Sequence, residues 1–249
     1  NIKMKQLFSV GFLTLVLFSV SAQQLKPVIY TDGNQKLNGL VTSNTDKKLQ
    51  GVLILPAWKG IDQEAKQAAL DLEKEGYIAF IADIYGEGNV PTDNAAAAKI
   101  ASQYKQDYQA YQKRIGLALE QLKKAGADKI AVIGYCFGGT GALEAARAQF
   151  PVNGVISIHG GLGKDASRPN GSLPTKILIE HPAEDQSVPQ EMVNNLIKEM
   201  NEGKADWQIY TYAYSKHTFT NPESKDYNPT MAKRAWQHTL MFLDEVLKK

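Results

Sequence analysis

Lys129-Ile130-Ala131-Val132-Ile133-Gly134-Tyr135-Cys136-Phe137-Gly138-Gly139-Thr140-Gly141-Ala142-Leu143-Glu144-Ala145-Ala146-Arg147 holds the chain's single cysteine, and its reading decides the fold. Residues 129–133 are a short apolar run of the kind that makes a buried strand, and residues 140–147 read as a helix. Small residues stand two before and two after Cys136. A strand turning sharply into a helix requires them. The central residue is held in a strained conformation, and the two backbones pass so closely that Cβ atoms on either flank would collide. The helix start just beyond supplies partial positive charge, which favours an anionic sulfur. A free cysteine is most often an inert, buried small hydrophobe. The strand before, the helix after and the extra glycine at Gly139 point instead to a nucleophile.

Further apolar runs lie at residues 51–56, 77–82, 154–158, 175–180 and 207–212, and helical patterns at 62–74, 92–125, 190–200 and 228–247. Short apolar runs alternating with helices specify a mostly parallel central sheet with helices on both faces. Together with the Gly-x-Cys-x-Gly turn, this predicts an α/β-hydrolase fold. No repeat, low-complexity tract or linker divides residues 23–249, so one domain is expected. In such sheets functional groups gather at the carboxyl ends of strands.

Residues 1–22 are expected to lie outside that domain. Reading Met4 as the start, Lys5 gives a positive beginning, residues 7–20 are uncharged and largely apolar, and Val20-Ser21-Ala22 supplies small residues for cleavage. These are the parts of a secretory signal, and the apolar run is short of the ~20 residues of a membrane span. The expectation is an exported protein, periplasmic or secreted, with no stable membrane insertion once the signal is removed. Cleavage takes away two lysines and no acid, so 28 basic residues fall to 26, against 26 acidic ones. A neutral chain without a basic stripe has no electrostatic hold on phosphate backbones, which argues against nucleic acid as a partner. One cysteine cannot form an internal bridge, and a lone thiol kept in an oxidising compartment hints at a use.

A cysteine nucleophile needs a base, and the base an orienting acid. In α/β-hydrolases the chain order is nucleophile, acid, histidine. Of the four histidines, His238 falls within the closing helix, where it packs or faces solvent. His159 ends a strand but precedes any acid candidate, so it is expected to line the pocket; its His159-Gly160-Gly161 run only mimics a lipase oxyanion motif, which belongs to an earlier loop. His181 is expected beside the cleft. His217, in the loop after the last strand, has the right order and place for the base. Glu184 and Asp185 both follow the penultimate strand, and spacing alone does not choose between them. One oxyanion donor should be the backbone N–H of Phe137, the residue after the nucleophile. Lys59 and Tyr85, at carboxyl ends of neighbouring strands, are weaker candidates for the pocket.

The chain resembles the dienelactone hydrolase family of cysteine α/β-hydrolases over residues 53–243. The likeness rests on Gly134-Tyr135-Cys136-Phe137-Gly138-Gly139, on Glu75-Gly76-Tyr77 leading to Asp83-Ile84-Tyr85, on Ala183-Glu184-Asp185-Gln186-Ser187-Val188-Pro189, and on His217-Thr218-Phe219. It implies Cys136 as nucleophile, His217 as base and Asp185 as the orienting acid. It also places the second oxyanion donor at the backbone N–H of Trp58. Two positions depart from the family. Its glutamate beside the oxyanion loop, which helps activate the thiol, is Ala57 here, and its arginine after the histidine, which holds a substrate carboxylate, is Asn221. A two-pronged carboxylate clamp is therefore missing at that point, which argues against dienelactone itself as the substrate.

The expected activity is cleavage of a small ester or lactone through a Cys-His-Asp triad and an acyl-thioenzyme. The alternatives are a non-catalytic binding protein on the same fold, for which Ala57 and Asn221 speak, and a redox-sensing thiol, against which the lack of a second cysteine weighs. No metal-ligand spacing and no second glycine-rich phosphate loop is present, so no metal and no cofactor is expected.

Overall fold

Each apolar run becomes a strand because its alternate residues are claimed by two different helical layers. In the computed structural model, residues 24–45 and 47–248 are described; the expected export signal lies outside them. In chain order the elements are β1 (Lys26–Asp32), β2 (Gln35–Val41), β3 (Gly51–Leu55), α1 (Gln63–Lys74), β4 (Ile78–Ile81), α2 (Asn94–Gln106), α3 (Tyr108–Lys124) and β5 (Ile130–Tyr135). There follow α4 (Phe137–Arg147), β6 (Gly154–Ile158), β7 (Lys176–Pro182), α5 (Gln190–Glu202), β8 (Trp207–Tyr212) and α6 (Pro229–Lys248). The strands form one eight-stranded sheet in the order β1-β2-β4-β3-β5-β6-β7-β8. Strands β3 to β8 are all parallel, while β2 runs antiparallel to β1 and to β4.

The side-chain alternation is plain in β3. Leu53 and Leu55 join the core under α3, α4 and α5, whereas Val52 and Ile54 join the core under α1 and α6. All four are fully buried. At about 25 cal/mol per Å² of apolar surface removed from water, such doubly covered strands supply most of the hydrophobic stabilisation.

Two features differ from the sequence reading. The helix expected over residues 92–125 is two helices, broken at Asp107, whose φ of −90° and ψ of 70° leave the helical region. Its carboxylate accepts the Ala110 N–H at 3.0 Å, so Asp107 ends α2 and caps α3. A short acidic side chain that competes for backbone N–H groups favours such a cap over a helix interior. The β1–β2 hairpin was not expected either. Most β1 side chains face solvent or are half-buried, so the strand lacks the apolar run that marks the central ones. Among the described residues, no helix is long and apolar enough to cross a membrane.

Candidate active site

Cys136 sits between β5 and α4 at the carboxyl edge of the sheet, with φ at 52°. That positive φ is rare for a side chain larger than glycine and marks stored strain. The flanking glycines are sterically required. A Cβ on Gly134 would fall on the carbonyl of Gly138, and a Cβ on Gly138 would fall on the carbonyl of Leu55 in the neighbouring strand. Strand, turn and helix therefore lock together only with hydrogen at those two positions.

His217 reaches back from the loop after β8. Its Nε2 lies 3.1 Å from Cys136 Sγ, and its Nδ1 lies 2.7 Å from Asp185 Oδ2. Asp185 is buried in the turn after β7, whereas Glu184 is exposed, so geometry separates the two neighbours that spacing left open. The other carboxylate oxygen of Asp185 accepts the Ser187 N–H at 2.9 Å and the Ser187 hydroxyl at 2.6 Å. Burial alone would raise Asp185, but the bonds from His217 and Ser187 outweigh it and hold the carboxyl down to about 2. Burial likewise opposes charge on His217; the Asp185 carboxylate and the Cys136 sulfur overcome it and push the imidazole up to about 10. The arrangement favours a proton on the imidazole, between the sulfur and the carboxylate.

Phe137 opens α4, and its ring lies between two tyrosines. Tyr111 stacks on it at 4.5 Å, and Tyr85 stacks at 5.7 Å on ring centroids. The Tyr111 hydroxyl donates to the Phe137 carbonyl at 2.9 Å, and the Tyr85 hydroxyl donates to the Trp58 carbonyl at 2.8 Å. Both loops expected to offer oxyanion donors are thus fixed by buried phenols. Ala57 sits half-buried in the second of these loops and brings no carboxylate there.

A cavity of about 580 Å³ opens over Cys136 and His217, with Tyr111, Thr140, Gly161, Ser187 and Met192 in its walls. Part of its wall is the polar loop after β6. Arg168 of that loop grips Glu144 with two bonds of 2.8 and 2.9 Å and lies 3.5 Å over the Tyr108 ring. Lys59, Tyr85 and His159, the weaker pocket candidates, do not line this cavity. Lys59 is exposed in its loop, and Tyr85 is buried as the prop of Trp58. His159 is 1% exposed, with φ at 39°, and its Nε2 bonds Thr220 Oγ1 at 2.8 Å. Asn221 lies on a different cavity, where its side chain accepts the Glu223 N–H at 2.9 Å. His181 is half-buried at the end of β7, also off the Cys136 cavity. His238 stacks on Tyr210 at 3.9 Å and bonds Tyr212.

Tyr111 and Ser187 were not singled out from sequence. Tyr111 reads there as one more aromatic on a helix. Ser187 carried a signal, since a serine two residues after an aspartate is the spacing of a side-chain-closed turn.

Eight strands in this order, with a cysteine on a strained turn and a histidine arriving from the loop after the last strand, define an α/β-hydrolase. The family model described as the dienelactone hydrolase family matches residues 37–247, and the chain belongs to that family. A probable 2-oxo-3-(5-oxofuran-2-ylidene)propanoate lactonase of Bradyrhizobium sp is 28% identical over 228 residues, which is 86% of this chain and 91% of that relative. The crystal structure of the dienelactone hydrolase-like promiscuous phosphotriesterase P91, from metagenomic libraries, superposes with a TM-score of 0.84 at 29% identity, covering 91% of this chain and all of that one. The α/β-hydrolase MGS-M1 from a Medee basin deep-sea metagenome library shares the fold, with a TM-score of 0.62 at 18% identity over 91% of this chain and 99% of its own.

Proposed function

We propose that the protein hydrolyses small esters or lactones through a covalent acyl-thioenzyme. The observation that carries this reading is the line of contacts from Cys136 Sγ to His217 Nε2 at 3.1 Å and from His217 Nδ1 to Asp185 Oδ2 at 2.7 Å. Cys136 sulfur attacks the acyl carbonyl, and His217, holding the former thiol proton, delivers it to the leaving alkoxide. In a lactone that alkoxide stays tethered to the acyl group. Water, deprotonated by the same imidazole, then attacks the thioester and frees the acid, returning the proton to the Cys136–His217 pair. Asp185 orients the ring and favours its charged form. The backbone N–H groups of Phe137 and Trp58 serve as donors to the developing oxyanion. The lactonase name of the Bradyrhizobium relative supports the substrate class. The absence of a glutamate at Ala57, in the loop that carries Trp58, supports a substrate other than dienelactone.

We also propose that it acts after export. Support comes from the charged start, short apolar run and small-residue site within residues 1–22. N-terminal sequencing of protein recovered outside the cytoplasm should begin at Gln23; protein found only in the cytoplasm with its leader intact would overturn export.

The activity is tested with a panel of p-nitrophenyl esters and simple lactones, with and without iodoacetamide, followed by mass spectrometry of the quenched enzyme. Turnover should vanish on alkylation, and an acyl adduct should map to Cys136. Normal turnover by Cys136→Ala would refute the mechanism.

A further inference from the structure

On the face of the sheet opposite the Cys136 cavity, a second cleft of about 380 Å³ opens between α1 and α6. Its floor is the carboxyl edge of β5, β6 and β7, at Tyr135, Ile158 and Glu180, and the loop between β8 and α6 closes one side. The volume lies within the range of small-molecule sites, ~300–1,000 Å³.

Glu180 gives the cleft its chemistry. The side chain has no exposure, and its Oε1 accepts a bond from the Thr239 hydroxyl at 3.0 Å. Its Oε2 is buried with no hydrogen-bond partner. A buried polar atom left unmatched costs about 1–3 kcal/mol, so such atoms are rare and mark a missing partner. Burial also holds Glu180 well above the ordinary carboxyl range. Glu64, on the α1 side, is pushed up to about 7, chiefly by burial. Both groups therefore lack the positive neighbour that a buried carboxylate needs.

The remaining walls say what kind of neighbour fits. Glu223 adds a third acid and Asp71, ion-paired with Lys74 at 2.7 Å, a fourth, while Lys233 is the one cation in the lining. Tyr135 and Trp236 add aromatic surface, which attracts cations through the ring face. Among the described residues, no three His, Cys, Asp or Glu side chains converge as a metal site. The aromatic lining suits a cation that carries an apolar body.

We propose that this cleft is a second ligand site, for a small organic ammonium ion with an apolar body, whose nitrogen is held by Glu180 and Glu64 and whose body lies against Tyr135 and Trp236. The site stands apart from the hydrolytic cavity and does not depend on the reaction proposed there. It is nevertheless wired towards it. Thr220 donates to Glu64 at 2.6 Å and bonds His159 at 2.8 Å, and the His159 ring lies 5.4 Å from that of His217.

Titration calorimetry of the protein with benzylammonium and 2-phenylethylammonium tests the site, with benzyl alcohol and 2-phenylethanol as uncharged analogues. The amines should bind saturably and at least tenfold more tightly than the alcohols. Glu180→Gln, which keeps the shape but cannot ionise opposite the ammonium, and Ala232→Phe, which fills the cleft from half-buried α6, should each weaken amine binding at least tenfold. Prior alkylation of Cys136 should leave it unchanged. No saturable binding at millimolar amine, equal affinity for amine and alcohol, or loss of binding on alkylation would each overturn the proposal. Circular dichroism checks that the variants fold, and if Glu180→Gln does not, Ala232→Phe decides.

Discussion

His217 and His159 lie 5.4 Å apart between ring centroids, yet their surroundings drive them in opposite directions. His217 hangs from a loop, faces the 580 Å³ cavity, and is held between a carboxylate and a sulfur. Its charged form persists up to about 10. His159 follows β6 directly and is sealed against Tyr135 and Phe219. Its Nδ1 is buried without a partner, and burial together with the charge on His217 pushes it down to about 3. With Glu64 ionised, the Thr220 proton goes to that carboxylate, so His159 must donate through Nε2 and leave Nδ1 bare. Near neutral pH one ring is thus a cation and its neighbour a neutral spacer. Two positive rings at that distance would repel, so the charge on His217 adds to burial in keeping His159 neutral. The residue type is shared; partners and water access decide the chemistry.

The largest effect expected from this contrast is on turnover of an activated ester. Cys136→Ala and His217→Ala should each lower kcat/KM by about 10⁴-fold or more, as removal of a nucleophile or its base does. His159→Phe should cost no more than about tenfold, because that ring touches neither sulfur nor substrate cavity. A His159→Phe enzyme as inactive as His217→Ala would break the distinction.

Asp185→Asn comes next, with a loss of roughly 10²-fold. It also carries a signed prediction. The carboxylate is what raises His217, so kcat/KM of the parent enzyme should hold on the alkaline side until His217 gives up its proton near 10. Without the carboxylate that limb must move to lower pH, since the charged ring has lost its main support. The pH profile of kcat/KM, which reports groups of the free enzyme, is the measurement. A limb that stays in place would show that Asp185 does not set the ring's charge.

Much of this is legible in the sequence. The turn around Cys136 is readable because the collisions at Gly134 and Gly138 leave few alternatives to glycine, so local sterics are written into the residue type. The buried strands are readable because doubly covered strands must be apolar throughout. Asp185 was separated from Glu184 only by resemblance, because a one-residue shift in a turn is invisible to spacing and becomes visible only as burial. The place of His159 was misread for a physical reason. The strand-end rule puts a residue at the correct edge of the sheet without saying on which side of it the ring packs. The cap at Asp107 escaped because residues on both sides of it favour helix.

A smaller effect separates the two histidines by stability. The folded pKa of His159 lies below that of an unfolded histidine, so the unfolded chain binds the extra proton between about 3 and about 6.5. The contribution is therefore fully present above about 6.5 and is lost as pH falls through that window, by up to about 1.4 kcal/mol per pH unit. Urea unfolding at several pH values should show His159→Phe losing that slope, whatever its absolute stability. An unchanged slope would mean that the ring is protonated in the folded protein.

The smallest expected effect tests why Asp185 serves His217 so well. Ser187 donates to Asp185 Oδ1 through both its backbone N–H and its hydroxyl, and the hydroxyl also lies 3.3 Å from His217 Nδ1. These bonds hold the carboxylate in one orientation and keep it ionised despite burial, whereas the His159 ring bonds a hydroxyl, that of Thr220. Ser187→Ala removes the hydroxyl and keeps the N–H, so the carboxylate stays charged but is held by one bond fewer. A neutral donor to a charged acceptor at a partly exposed site is worth roughly 1 kcal/mol, so kcat/KM should fall by about threefold to tenfold. Two opposing consequences then meet in the pH profile. A looser carboxylate orients the ring less well, which lowers the rate, but it also has one fewer proton donor competing with His217 for its charge. If orientation is what Ser187 supplies, the alkaline limb should stay within a few tenths of a pH unit of the parent while the plateau drops. A limb displaced as far as in Asp185→Asn would instead make Ser187 a determinant of the charge on His217.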